Sequence, residues 1–388
     1  MFKTLKDFDF SGKKVLVRCD FNVPLDDKGR ILDDWKIKKS LPTIEYLLDK
    51  GAKQIVLMSH LGRPEGEFVE KFSMNRIADR LRELLGVSLL KLDDCIDEAA
   101  PEDEKIILLE NLRFHKAEED NNEHFAKALS EYGEIFVNDA FGTCHRAHAS
   151  VVGVPKFLPS CAGFLLEEEI RHLSSVLDPK RPACAILGFA KISSKVDLMR
   201  SLFDKIDFAL IGGAVAFTFL KSNGFEVGTS LVDNDDIDTA RDILSEYEDK
   251  IVLPTDIVVA DKKSKDAKTK VVGIAEIPMD MMGLDIGPET VEFFKKKLSE
   301  AKTVMWNGPL GVFEIDKFAN GTKKIAEYLA KSGKIVVVGG GETAEAIRKF
   351  RLEDKMTHVS TGGGASIEFL EGKEMPGVRA LEENEMRF

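Results

Sequence analysis

The sequence predicts an α/β protein built of two three-layer (αβα) domains, each a parallel sheet with helices on both faces. Three observations carry this. The chain has 388 residues, too many for one ordinary domain. Short apolar runs recur from end to end, most of them followed by polar or Gly-rich turns. Between the runs lie stretches with apolar residues at helical spacing. Strand–helix alternation with nearly unbroken apolar strands belongs to parallel sheets covered on both sides.

In the first half the strands are KKVLVR (13–18), KQIVLM (53–58), KIILLE (105–110) and EIFV (134–137). In the second half they are ACAIL (183–187), FALI (208–211), KIVL (250–253), KTVMW (302–306), KIVVV (334–338) and THVS (357–360). SMNRIADRLRELLG (73–86) reads as a helix, with apolar residues at 74, 77, 78, 81, 84 and 85. GFLLEEEIRHLSSVLDP (163–179) differs in its surroundings: Leu166, Ile170, Leu173 and Leu177 share one helical face, and Pro179 and Pro182 follow closely. A helix with a hard stop near the middle of the chain suits a connection between domains, with the boundary near 180.

Composition narrows the function. The chain is 44% hydrophobic and 31% charged, as in ordinary globular proteins. Its 55 basic and 67 acidic residues give a net charge of −12, which argues against nucleic acid or an anionic membrane as partner. Cysteines stand at 19, 95, 144, 161 and 184, an odd count without C-x-x-C. That pattern fits a reduced, cytoplasmic protein without structural zinc. The first residues, MFKTLKDFDF, lack the apolar core of a signal peptide. The longest apolar stretch, FALIGGAVAFTFL (208–220), has 13 residues, too few to span a bilayer; it reads as a buried strand entering a helix.

In open α/β sheets ligands bind beyond the carboxyl ends of the strands. In the first half these ends carry Asp20 and Asn22, His60 and Arg63, Arg113, and then His145, Arg146 and His148. This mostly basic set suits a small ligand with several anionic groups, because Arg forks match carboxylate and phosphate geometry. In the second half the ends carry Gly188 with Lys191 and Lys195, then Gly212 and Gly213, NGPLGVFE (307–314), GGGETAEAI (339–347) and STGGGAS (360–366). Glycines let backbone approach a ligand closely, and helix-start N–H groups bind phosphate. A polyanion site paired with a nucleotide site implies phosphoryl transfer between the two ligands.

Competing signatures fail. The motif G-x-x-x-x-G-K-[ST] is absent. Gly339, Gly341 and Ala344 satisfy G-x-G-x-x-A, but the next strand ends in Val359 and Ser360 with no acid there, so a dinucleotide site fits poorly. His145 and His148 form H-x-x-H, yet Arg146 between them would repel a metal cation.

VLVRCDFNVPL (15–25), SHLGRP (59–64), LLENLRFH (108–115), VNDAFGTCHRAH (137–148), GLDIGPET (283–290), WNGPLGVFE (306–314) and VSTGGGAS (359–366) resemble the signatures of the phosphoglycerate kinases, in that family's order and over nearly the whole chain. The resemblance implies two Rossmann-like domains and hinge bending: a phosphoglycerate-binding domain at 1–162, a hinge helix at 163–179, a nucleotide-binding domain at 180–370, and a tail at 371–388 returning to the first domain. It implies a monomeric glycolytic enzyme that moves phosphoryl reversibly from 1,3-bisphosphoglycerate to Mg-ADP, giving 3-phosphoglycerate and ATP.

Carried over by position, the resemblance places Asp20, Phe21, Asn22, Lys36, His60, Leu61, Gly62, Arg63, Arg113 and Arg146 around phosphoglycerate. Gly188, Lys191, Lys195, Gly212, Gly213, Gly283, Leu284, Asn307, Pro309, Gly311, Val312, Glu314, Gly340, Gly341, Glu342 and Thr343 would surround ATP or ADP. Glu342 would hold Mg²⁺, and Lys36, Lys191, Lys195, Gly363 and Gly364 would face the phosphoryl in flight. The chain departs from the family at Lys36, where the pattern has Arg, and at Phe189, Ser194 and Glu342, where it commonly has Gly, Asp and Asp. Two other readings follow: a nucleotide-binding relative impaired by Lys36, or a kinase for another small carboxylic acid.

Overall fold

The computed structural model describes residues 2–388, which fall into two units. The first runs through Ile170 and takes in Glu374–Phe388; the second is Arg171–Lys373. The helix Phe164–Leu177 occupies the stretch read as a connector, and the division falls inside it, between Ile170 and Arg171.

The first unit is built on six parallel strands in the order Leu90–Lys91, Ile106–Leu108, Gln54–Met58, Lys14–Arg18, Ile135–Asn138, Ser160–Ala162. Side chains alternate across a strand, and here the alternation sorts them into two cores. Val15, Val17, Ile55 and Leu57 pack on one face with Ile37, Ile44 and Leu47. Leu16, Val56 and Met58 pack on the other with Phe125 and Leu129. Both faces are covered, so the strands carry no polar alternation. The helix Asn75–Leu85 buries Ile77, Ala78 and Leu81 and stops at Gly86, whose φ of 65° ends it in the left-handed region.

The second unit also has six parallel strands, ordered His358–Val359, Ile335–Gly339, Thr303–Asn307, Ala183–Leu187, Phe208–Ile211, Ile251–Val252. Each apolar run read from the sequence overlaps one of the strands, three of which run one residue further, to Asn138, Asn307 and Gly339. An all-parallel reading needs one correction. Asp256–Ala260 pairs antiparallel with Thr269–Gly273 and with Met282–Ile286, forming a separate three-stranded sheet. Its outer strand, TKVVG, is largely exposed, so it offers no long apolar run to read.

Within the first unit, the C-terminal helix Pro376–Glu385 is fastened by one residue. Asn384 is almost fully buried. Its Oδ1 accepts from Ser160 N at 2.8 Å, and its Nδ2 donates to Pro155 O at 2.5 Å and Leu158 O at 2.8 Å. Leu381 is buried beside it, and Gly377 N donates to Cys144 O at 2.9 Å. Asn384→Ala takes this partner from the buried Ser160 N–H and Pro155 carbonyl, while Leu158 O keeps its bond from Ser160 Oγ, and the expected cost is about 2–4 kcal/mol. Urea denaturation of the full chain should show the loss as a lower midpoint with an unchanged slope.

Candidate active site

The carboxyl ends of the first sheet bring the basic residues together. Lys14–Arg18 leads directly into Asp20 and Asn22, and Gln54–Met58 into His60 and Gly62. Asp20, only 3% exposed, holds the ammonium of Lys36 at 2.7 Å. Its other oxygen accepts from Asn22 N at 3.1 Å, and Asn22 Oδ1 accepts from Gly62 N at 2.9 Å. Arg113 donates to Gly62 O at 3.0 Å, with its Nε 3.4 Å from Glu119. Burial pulls the Arg113 guanidinium down to about 10, with Arg18 and Arg146 pushing the same way and Glu119 opposing; it stays charged at neutral pH. Arg146 is half-buried and donates to His145 Nε2 at 3.1 Å, whereas Arg63 is exposed. The side chains of Phe21 and Leu61 are buried in the core.

Lys36 sits in the first turn of the helix Trp35–Asp49, which has no acid there. A cation at a helix N-terminus opposes the macrodipole, so this placement does not serve the helix. It concentrates positive potential where an anion can use both.

The imidazoles do not supply the charge. Burial drives His60 well below its ordinary value, helped by Arg18, Arg113 and Lys36. His148 falls to about 3 through burial and then the same guanidiniums. Behind His60 lies Arg18, completely buried. Its Nη2 is 3.1 Å from His60 Nδ1, its Nε donates to Ser150 Oγ at 2.9 Å, and it also bonds Cys19 O. Ser150 in turn donates to the buried carboxylate of Glu118 at 2.6 Å. An arginine beside Nδ1 makes that nitrogen the acceptor, which leaves Nε2–H as a donor. Sequence reasoning passed over Arg18, Ser150 and Glu118. For Arg18 the signal was available: a charge closing the apolar run VLV.

The second unit holds a cleft of about 460 Å³. The helix Gly213–Ser222 supplies Ala214 and Phe217, the antiparallel sheet supplies Ile257, Met282, Gly283 and Leu284, and the loop Pro309–Glu314 closes it. Nine of the expected nucleotide residues line it: Gly188, Gly213, Gly283, Leu284, Pro309, Gly311, Val312, Glu314 and Glu342. A Cβ on Gly188 would lie 2.1 Å from Pro309 O, and one on Gly213 2.3 Å from Gly188 O, so these backbones touch. Such walls present flat apolar surface with few polar atoms, as a base and its ribose require. The apolar liners Ala214, Phe217 and Met282, and the one lining cation, Lys263, were not singled out from the sequence.

The remaining expected residues do not line the cleft. Lys191 is exposed, 3.5 Å from Asp233. Lys195 is half-buried; burial lowers its ammonium, with Glu371 and Glu342 opposing the shift. Gly212 N donates to Leu187 O, and the hydroxyl of buried Thr343 accepts from Gly308 N at 2.7 Å. Asn307 Nδ2 is buried without a hydrogen-bond partner, next to Gly340. Gly341, Gly363 and Gly364 have open space where a Cβ would stand. Phe189 is buried, and Ser194 Oγ donates to Lys191 O at 3.1 Å. Glu342 opens the helix Gly341–Lys349, exposed and with no ion pair or hydrogen bond from its carboxylate among the described residues.

Comparison with known proteins converges on one family. The family model described as phosphoglycerate kinase matches residues 5–373. A phosphoglycerate kinase of Pelotomaculum thermopropionicum is 50% identical over 389 residues, covering 98% of each chain. A relative in Triticum aestivum, named phosphoglycerate kinase, cytosolic, is 50% identical and covers 98% of each chain. The solved structure of phosphoglycerate kinase from Coxiella burnetii superposes with a TM-score of 0.88 at 40% identity, covering 100% of both chains. With a cationic pocket in one unit, a glycine-walled cleft in the other and these likenesses across its full length, the chain belongs to the phosphoglycerate kinases, a family of phosphotransferases.

Proposed function

We propose that this chain catalyses reversible phosphoryl transfer between 1,3-bisphosphoglycerate and Mg-ADP, working in the cytosol. Phosphoglycerate is held by the first unit and nucleotide by the second. The observation that carries this reading is the contrast between the two: guanidinium and ammonium groups around Asp20 in one, an apolar cleft ending at Glu342 in the other.

In the ATP-consuming direction the acceptor is a carboxylate with a pKa of roughly 3.5–4. It is already ionised near neutrality, so no general base is needed, and the neutral imidazoles of the pocket are consistent with that. What the protein supplies is alignment and neutralisation of charge. Arg63, Arg113 and Arg146 hold the anionic ligand, while His60 offers an uncharged donor. Lys36 neutralises the reacting carboxylate end. Lys191 and Lys195 meet the phosphate groups of the nucleotide, and the bare backbone at Gly340, Gly341, Gly363 and Gly364 admits them closely. Glu314 lies beside the ribose, and the Asn307 amide has a free N–H for a phosphate oxygen.

Glu342 fits a magnesium role. Its carboxylate is an unpartnered hard oxygen donor at the cleft, and Mg²⁺ bound through one carboxylate and phosphate oxygens is the ordinary arrangement. When bound, the ion spreads and neutralises charge on the transferring phosphate. Glu342→Gln should therefore weaken Mg-ADP at least about tenfold while leaving free ADP nearly unaffected. Calorimetry with and without Mg²⁺ reads both; equal losses would remove the metal role.

The whole reading rests on one assay, turnover of 3-phosphoglycerate and Mg-ATP coupled to reduction of the acyl phosphate product. Absence of turnover in a folded preparation that binds both ligands would overturn it.

A further inference from the structure

A second cluster of chemically active side chains contains none of the residues placed at either ligand site. Asp94 and Cys95 follow the strand Leu90–Lys91, and His115 caps the turn Leu112–Phe114. One donor atom from each of the three lies within 4.8 Å of the others. His115 Nε2 is 2.6 Å from Asp94 Oδ1, and Cys95 is fully buried behind them. Asp94 has no Lys or Arg partner among the described residues, so its charge is answered only by this imidazole and the Cys95 N–H at 2.6 Å. Glu98 accepts from Asp94 N at 2.9 Å, adding a further carboxylate to the loop.

We propose that Asp94, Cys95 and His115 form a binding site for a divalent ion of zinc type, separate from the nucleotide's magnesium. The donor chemistry selects the ion. Thiolate and imidazole favour zinc or cobalt over hard magnesium, which takes oxygen. Three protein ligands from three residues leave a fourth position for water. The half-exposed Asp94 and His115, at 49% and 30%, give that position a route to solvent. On binding, a metal–sulfur bond replaces the S–H bond of Cys95 and one proton leaves to solvent. The imidazole binds through a nitrogen lone pair, and its present bond to Asp94 gives way to two bonds to the ion. A surface Asp–His hydrogen bond needs no thiol, whereas this cluster places one directly behind the pair.

Cobalt makes the site visible. The reduced full-length chain, freed of metals by chelation, is titrated with Co²⁺ at neutral pH. One equivalent is expected to produce a thiolate-to-cobalt charge-transfer band with the intense visible bands of tetrahedral coordination. Stoichiometric Zn²⁺ should erase both, and millimolar Mg²⁺ should leave them. Cys95→Ala should remove the charge-transfer band although four other cysteines remain. His115→Gln, in a chain with its thiol intact, should weaken binding at least about tenfold. No charge-transfer band at roughly tenfold excess Co²⁺, or the same band in Cys95→Ala, would overturn the site. Should Cys95→Ala fail to fold, unchanged Co²⁺ affinity in both His115→Gln and Asp94→Asn would overturn it equally.

Discussion

Lys36→Ala is expected to lower kcat by about 10- to 150-fold, the rate equivalent of losing one charge-assisted hydrogen bond of about 1.5–3 kcal/mol at the transition state. The position makes the argument. Lys36 stands where a helix stabilised for its own sake would carry an acid, and it is tied at 2.7 Å to an almost buried Asp20. That tie uses one of its three donors and fixes the ammonium at the pocket. Removing it leaves Asp20 buried without its cation, so a loss of stability should accompany the loss of rate. Lys36→Arg separates the two effects. Arginine can keep a bond to Asp20 and still present a planar fork to the ligand, so kcat should rise above that of the native chain. The coupled assay measures both variants. Full activity in Lys36→Ala would deny residue 36 any part in the reaction.

Gly213→Ala is the second large effect, about 2–5 kcal/mol of stability lost together with nucleotide binding. Two independent costs coincide there. Its φ of +57° is a conformation that a residue with a Cβ adopts reluctantly. A Cβ would also stand 2.3 Å from Gly188 O and 2.4 Å from Pro309 O, both of them backbone atoms that cannot rotate aside. Relief would require the walls of the cleft to part, which is where the proposed reading puts the base. Gly341→Ala provides the contrast, since a Cβ there meets nothing within 4 Å. Its stability should be unchanged or slightly raised, as for other Gly→Ala changes within helices. Thermal unfolding with and without ADP distinguishes the two; equal behaviour would mean the cleft is softer than its close contacts indicate.

Much of this was legible in the sequence, and the reason is the parallel sheet. Strands such as KQIVLM and KIVVV are buried on both faces, so they announce themselves as continuous apolar runs, and their ends mark the site. The antiparallel strand Thr269–Gly273 is largely exposed and carries only two consecutive apolar residues, so nothing in KTKVVG separates it from a loop. The charged half of the site could be read because Arg and His stand out after apolar strands. The apolar half could not. Ala214, Phe217 and Met282 are unremarkable residues whose convergence depends on how a helix and a second sheet meet. Thr343 shows the opposite limit: it lies in the Gly-rich phosphate motif, yet its hydroxyl is committed to Gly308 N. Linear position gives proximity to a site but not the direction of a side chain.

The buried guanidinium of Arg18 has a consequence beyond geometry. It sits against His60 with no solvent to screen it; burial first, and then this cation and Arg113, keep both His60 and His148 uncharged around neutrality. The first unit thus uses permanent cations as its charge and histidine as a neutral dipole, the reverse of a pH sensor. When the medium acidifies, these two imidazoles do not gain charge. The phosphate of the ligand does change, losing its second negative charge near pH 6. With phosphoglycerate held here as proposed, sensitivity of capture to acid belongs to the metabolite, and the two imidazoles act as a constant background against which the ligand's own ionisation is weighed.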